Sequence, residues 1–243
     1  MSILAPRTSH LAPRRMSFIL HLSSLILLVA LVACSVDSYD AGDSEYSYMR
    51  ADFVIAHTDS RAAVDYVITD DDSRIDLEDA VQTSWTKTPD SLYRALIYYN
   101  NVKGTPAGGF PSKVSCIAMS QVLTLIPMLR DDLKEVFTDP LIFESAWMSK
   151  NEKFLNIGFA VKTGRTDGYL TIQDIGVCID ADITDGSGNR TIYMQIMHNQ
   201  KDSPEYYSSH GYASIPIPDE YKGATLHISI PTYNGTVVKE FQL

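Results

Sequence analysis

The chain has 243 residues, room for one large domain or two small ones, with 45% apolar and 21% charged residues. Its formal charge is −10, and Arg7, Arg14 and Arg15 near the start have no acidic counterparts before Cys34, so the remainder sets 17 basic against 30 acidic residues, a formal −13. Such a surface repels phosphate backbones, which excludes nucleic acid as a partner and excludes attachment to anionic lipid by charge alone.

The first element is a leader. Three arginines precede the apolar run Leu25–Ala33, which is too short to span a bilayer. The run closes on "LVAC", Leu31 to Cys34, which resembles the lipobox of bacterial lipoproteins. Ala33 is small enough for a peptidase pocket, and the Cys34 thiol is nucleophilic enough to take a diacylglyceryl group as a thioether. The resemblance implies cleavage before Cys34, then acylation of its sulfur and new amino group by palmitate-type chains. Two or more chains hold stably where one does not, at about 0.8 kcal/mol per buried methylene. Cys34 is therefore the expected lipidation site and the membrane anchor. Ser35 after the cysteine fits outer-membrane sorting, on the periplasmic or the cell-surface face. Met16 is an alternative start that would lack the basic leader. Residues 35–48, "SVDSYDAGDSEYSY", have no apolar periodicity and read as an acidic tether.

Strand signals dominate from Met49. "ADFVIAHT", "AAVDYVIT", "SRIDLEDAV", "SLYRALIYYN" and "KVSCIAMSQVLTLI" are short or alternating apolar runs, separated by turn punctuation at 70–73, 87–90 and 103–112. Strands so closely spaced suit a small closed barrel, which leaves no sheet edge exposed. "MLRDDLKEVFTDP" follows, with Leu129, Leu133, Val136 and Phe137 at helix-face spacings and Pro140 as a stop. It predicts a linker helix, or a loop with one turn. Seven further runs, from "LIFESAWM" to "TVVKEFQL", carry a turn about every 8–12 residues and suit a β-sandwich. The apolar face switches near Asp174–Gly176, predicting a bulge there. "YNGT" at 233–236 predicts a hairpin with positive φ at both Asn234 and Gly235.

The order of features resembles the NigD-like lipoproteins of Bacteroidota-type bacteria. "DDDSRID" (70–76) and "LEDA" (77–80) match an early acidic turn and strand, "DPLIFESAWMSKNEKFLNIGF" (139–159) the start of a second domain, and "TIYMQIMHNQKDSPEYY" (191–207) a strand ending in a His-Asn turn. The resemblance implies an all-β protein: a lipoprotein signal peptide at 1–33, a tether at 34–48, an OB-like barrel at 49–130 and an immunoglobulin-like sandwich at 131–243. The arginine-containing strand usual in that barrel corresponds to Tyr93–Tyr99. The family supplies no catalytic residues.

Individual residues give little chemistry. His57, His198, His210 and His227 are scattered, without metal-ligand spacing, and Asp202 lies four after His198. Ser208, Ser209 and His210 lack a nucleophile elbow. Asp180, Asp182 and Asp185 hint at a calcium loop, but the spacing is off and Thr191 stands where a glutamate belongs. Cys116 and Cys178 lie in apolar runs, as two buried thiols or as one bridge. Tyr93, Tyr98, Tyr99, Tyr206, Tyr207, Trp85 and Trp147 could stack on a glycan or peptide, or fill half-buried strand faces. No catalytic set, metal or cofactor is expected, so the expected function is a non-enzymatic binding or accessory module of the cell envelope. The alternatives are an immunity-like partner acting by protein contact and a carbohydrate-binding lipoprotein. A glycan and an envelope protein are both open as ligands. A binding module should show a cleft with aromatics, an interaction protein an unpaired strand edge or apolar patch, and an enzyme convergent titratable groups.

Overall fold

The computed structural model describes residues 49–100 and 111–243. Cys34, the signal segment and the tether lie outside the described residues. The fold is all-β, as the runs predict.

The first sheet contains β1 (Met49–Thr58), β2 (Val64–Thr69), β3 (Arg74–Val81), β4 (Leu92–Asn100), β5 (Lys113–Val114) and β6 (Cys116–Gln121). Its order is β5-β3-β2-β1-β4-β6. The edge strands β5 and β6 are separated along the chain by Ser115 alone. One residue spans under 4 Å, so the two edges must meet and the sheet is curled into an OB-like barrel. β5 pairs parallel with β3 while β6 pairs antiparallel with β4. Period-two alternation puts Val54, Ala56, Val67, Ile75, Ala95, Ile97 and Tyr99 inside.

The chain leaves the barrel through one residue, buried Val122, whose N–H donates to the Arg94 carbonyl at 2.9 Å. Then come β7 (Leu123–Thr124), β8 (Met128–Leu129), β9 (Ile142–Met148), β10 (Phe154–Thr163), β11 (Arg165–Thr166), β12 (Tyr169–Leu170), β13 (Asp174–Thr184), β14 (Arg190–Asn199), β15 (Tyr207–Pro216), β16 (Thr225–Thr232) and β17 (Gly235–Gln242). Two sheets, β7-β15-β10-β9 and β17-β16-β14-β13-β8, face each other as a sandwich, and β11-β12 is a small hairpin. Leu155, Ile157 and Phe159 of β10 meet Ile192, Met194, Leu226, Ile228 and Ile230 in its core.

β10 shows how barrel and sandwich relate. Residues 155–160 are buried without alternation. A strand of an antiparallel sheet is buried on both faces only when both are covered. Its odd-numbered residues face the sandwich core and its even-numbered ones face the barrel. The described barrel and sandwich accordingly form one compact unit.

Two local expectations are corrected and one pair of alternatives is decided. Of the linker helix and the loop with one turn, the structure has the loop, with a single 3-10 turn at Arg130–Asp132. Met128–Leu129 pairs with β13, and Phe137 and Asp139 bond to the His198 backbone, so both ends of the segment are taken up in edge pairing. A helix this short is marginal on its own. The β13 bulge falls at Asp180, between Ile179 and Ala181, not at 174–176. In the β16–β17 hairpin only Gly235 takes positive φ, 104°, so Tyr233-Asn234 is the turn and the glycine follows it.

Candidate functional site

Arg94 fixes the junction. On β4, Ala95, Ile97 and Tyr99 point into the barrel, so Arg94, Leu96 and Tyr98 point out, toward the middle sheet. The Arg94 side chain is 1% exposed. Nη1 and Nη2 donate to the two oxygens of Asp70 at 2.5 and 2.8 Å, Nε donates to Ser214 Oγ at 3.1 Å, and Nη2 also reaches Asn156 Oδ1 at 3.1 Å. The guanidinium lies 4.2 Å over the Phe154 ring and 5.5 Å from that of Phe53. A fork with several donors is what such a node requires; an ammonium could not bridge all these partners.

The acidic turn at 70–73 is the other half of this contact. Asp70 receives Arg94, and its carbonyl accepts the Asn151 N–H at 2.8 Å. Asp72 accepts from Lys153 Nζ at 2.8 Å and Asn151 Nδ2 at 3.1 Å. Asp71 accepts from Thr69 Oγ1 and the Ser73 N–H within its own turn. The turn thus docks the barrel on the sandwich rather than holding an ion.

Beside this node a cleft of about 410 Å³ opens between barrel and middle sheet. Leu96, Tyr98, Ser120, Gln121 and Val122 form the barrel side, and Glu144, His210, Gly211 and Tyr212 the sheet side. Glu144 on β9 and His210 on β15 belong to strands separated by β10, yet His210 Nδ1 and Glu144 Oε1 are 2.5 Å apart. They meet because the intervening barrel-facing positions of β10 are Gly158 and Ala160. A Cβ at Gly158 would come within 2.7 Å of Ser145 Oγ and 3.3 Å of the Tyr212 ring, so any larger residue would have to displace the Ser145 hydroxyl. Tyr212 packs edge-on against Phe53, centroids 5.2 Å apart, and Phe53 likewise against Trp147 at 5.4 Å.

The other candidates do not converge here. His57 bonds Asp65 at 2.7 Å and stacks on Tyr66. His198 is fully buried between the Asp139 carbonyl and Gln173 Oε1. His227 stacks on Tyr193. Asp182 pairs with Arg190 at 2.6 Å, Asp185 accepts the Ser187 and Asn189 N–H groups of its turn, and Asp180 lies 3.3 Å from Arg130. The suspected calcium loop is therefore a hairpin braced by its own side chains. Among the described residues no three His, Cys, Asp or Glu side chains gather to hold a metal.

Cys116 and Cys178 are free thiols, which rules out the bridge. Burial, reinforced by Asp180, pushes the Cys178 thiol up to about 11. Of the aromatic residues, Tyr98 lines the cleft and Trp147 packs beside it. Tyr99 is buried and donates to Asp52 at 2.6 Å. Tyr93 accepts the Lys87 and Thr88 N–H groups next to Trp85. Tyr206 and Tyr207 are exposed near the start of β15. The reading of side chains alone missed Glu144, Gln121, Asn156 and Tyr212. The small pair Gly158 and Ala160 within a large apolar run was the available signal.

No family model matches the chain, and neither does any curated protein. Solved structures do match. A NigD-like immunity protein from Bacteroides caccae is 19% identical, with a TM-score of 0.61 over 79% of this chain and 91% of that one. A proposed toxin-related protein from Parabacteroides distasonis is also 19% identical, with a TM-score of 0.57 over 79% of this chain and 92% of that one. A proposed lipoprotein from Bacteroides fragilis is 11% identical, with a TM-score of 0.53 over 79% of this chain and 96% of that one. The resemblance seen in the sequence holds at the level of the fold.

Proposed function

We propose that this chain is a lipid-anchored cell-envelope protein, held to the outer membrane through Cys34, and that its two β modules form a non-enzymatic binding or accessory unit. The carrying observation is the cleft: a polar recess set between two modules that Arg94 locks together. Pre-formed clefts at module junctions are common recognition sites. The lipobox at Leu31–Cys34 and a structural neighbour proposed to be a lipoprotein support the anchor. The immunity neighbour supports action by binding.

The cleft's own groups favour binding over turnover. Glu144 and His210 are bonded to each other, and among the described residues no hydroxyl or thiol is hydrogen-bonded to the His210 ring as an activated nucleophile. Ser120 stands across the cleft, so the test includes it. Cells fed a radiolabelled fatty acid should label the wild type and not Cys34→Ala; equal labelling would sink the anchor. The full-length protein in detergent should bind an envelope protein or glycan in a manner weakened by Gln121→Ala or Tyr98→Ala. Ester or amide hydrolysis abolished by Ser120→Ala would overturn the non-enzymatic reading.

A further inference from the structure

Among the described residues, part of β15 has a strand partner on one side alone. β10 covers one side of β15 from Tyr207 to Pro216, in unbroken register. On the other side β7 covers Ala213 and Ser214 only. Among the described residues nothing pairs with Tyr207–Tyr212 on that side. The Ser214 carbonyl faces outward, since it accepts the Leu125 N–H at 2.9 Å beyond β7. Both backbone groups of a strand residue point the same way and alternate along the chain. Ser208, His210 and Tyr212 therefore present unpaired N–H and C=O groups outward, over about 14 Å.

Proteins normally blunt such edges with charges, prolines or bulges. The other long edges of the sandwich follow that practice. β17 carries Lys239 and Glu240, β13 carries Asp174, Asp180, Asp182 and a bulge, and β9 carries Glu144 and a register shift. Tyr207–Tyr212, "YSSHGY", has no Lys, Arg, Asp, Glu or proline. The cleft reaches this strand at His210, Gly211 and Tyr212, where the run from β6 to β7 diverges from β15 at Val122.

We propose that the β15 edge accepts an extended, net-basic segment of a partner protein, which adds a strand beside Tyr207–Tyr212. This rests on the reading of the cleft as a recognition site and names its occupant. A row of alternating backbone donors and acceptors is matched by another extended backbone, not by a sugar. Tyr98, Ser120 and Gln121 of the barrel line the same cleft as His210, Gly211 and Tyr212 of this strand. Side chains of the added strand that face the barrel are directed toward the wall that carries Tyr98 and Gln121. The formal −13 beyond the leader attracts a basic segment and repels the chain's own residues 35–48, which hold four acidic and no basic residues.

The test uses the full-length chain in detergent, isotope-labelled for amide hydrogen exchange. The probes are random-sequence synthetic peptides, in basic and acidic sets, and neutral oligosaccharides. Free protein should exchange quickly at the Ser208, His210 and Tyr212 amides and slowly at Ser209 and Gly211. Basic peptides should bind and slow the first three. Ser208→Pro, which removes an outward N–H and leaves β10 pairing in place, should weaken binding about tenfold, and Ser208→Ala should not. If Ser208→Pro does not fold, the exchange pattern of the wild type decides. Peptide binding without protection at those amides overturns the proposal, as does a preference for acidic peptides. Protection that grows with protein concentration alone assigns the edge to a second copy and also overturns it. Binding of oligosaccharides alone refutes the peptide and leaves the recognition site standing, whereas binding of no probe refutes both.

Discussion

Arg94→Ala would remove the centre of the junction. The side chain it deletes is 1% exposed and supplies both hydrogen bonds to Asp70, whose side chain is 18% exposed. It also supplies one bond each to Ser214 and Asn156. The deletion leaves a largely buried carboxylate without its counter-ion, and breaking such a pair typically costs about 3–5 kcal/mol. Most domains have only about 5–15 kcal/mol in hand, so the loss is a large fraction of the total. Replacing both partners, as in Arg94→Met with Asp70→Leu, should cost far less than Arg94→Ala, because no charge is then stranded. Urea unfolding reads this with two reporters, Trp85 near the barrel and Trp147 on the middle sheet, each isolated by changing the other to Phe. The wild type should give coincident transitions, and in Arg94→Ala the two should separate. A loss below about 1 kcal/mol with coincident transitions would refute the argument that this arginine joins the modules.

The thiols give a count. Under denaturing conditions the mature chain should titrate two thiols, Cys116 and Cys178, because an acylated Cys34 contributes none; three would contradict the anchor. In the native protein Cys178 should react slowly at mildly alkaline pH, since burial and Asp180 hold it near 11 and little thiolate forms. Acid stability follows from the docking turn. Hydrogen bonds from Lys153 and Asn151 hold Asp72 below its ordinary 3.8. Burial works against Asp71, but its bonds to Thr69 and Ser73 outweigh that and hold it low as well. A depressed folded value contributes stability above about 3.8 that is lost as the pH falls through that value. Stability should therefore drop below pH 3.8, by a modest amount at exposed Asp72, and Asp72→Asn should flatten the decline. An acid limb identical in Asp72→Asn would show that Asp72 plays no part.

The sequence by itself determined the elements. Alternation of apolar residues located the strands and their buried faces, because side-chain direction along a strand is a local property with a period of two. The expected leader and its cysteine also rest on a contiguous pattern, one that lies outside the described residues. The "MLRDDLKEVF" spacing left a linker helix and a loop with one turn both open, and the loop formed because both ends found strand partners, Met128–Leu129 on β13 and Phe137 on His198, and paired backbone outweighed a weak helical preference. Only the tertiary structure decided which strands lie together, and with that everything about the site. Arg94 meets Asn156 and Ser214 across 62 and 120 residues, and Glu144 meets His210 across 66. Period two states which face a residue occupies but not which strand lies beside it. That choice rests on packing shared by the whole fold: the barrel closing at Ser115, and a middle sheet thin enough at Gly158 and Ala160 for a cleft to form above it.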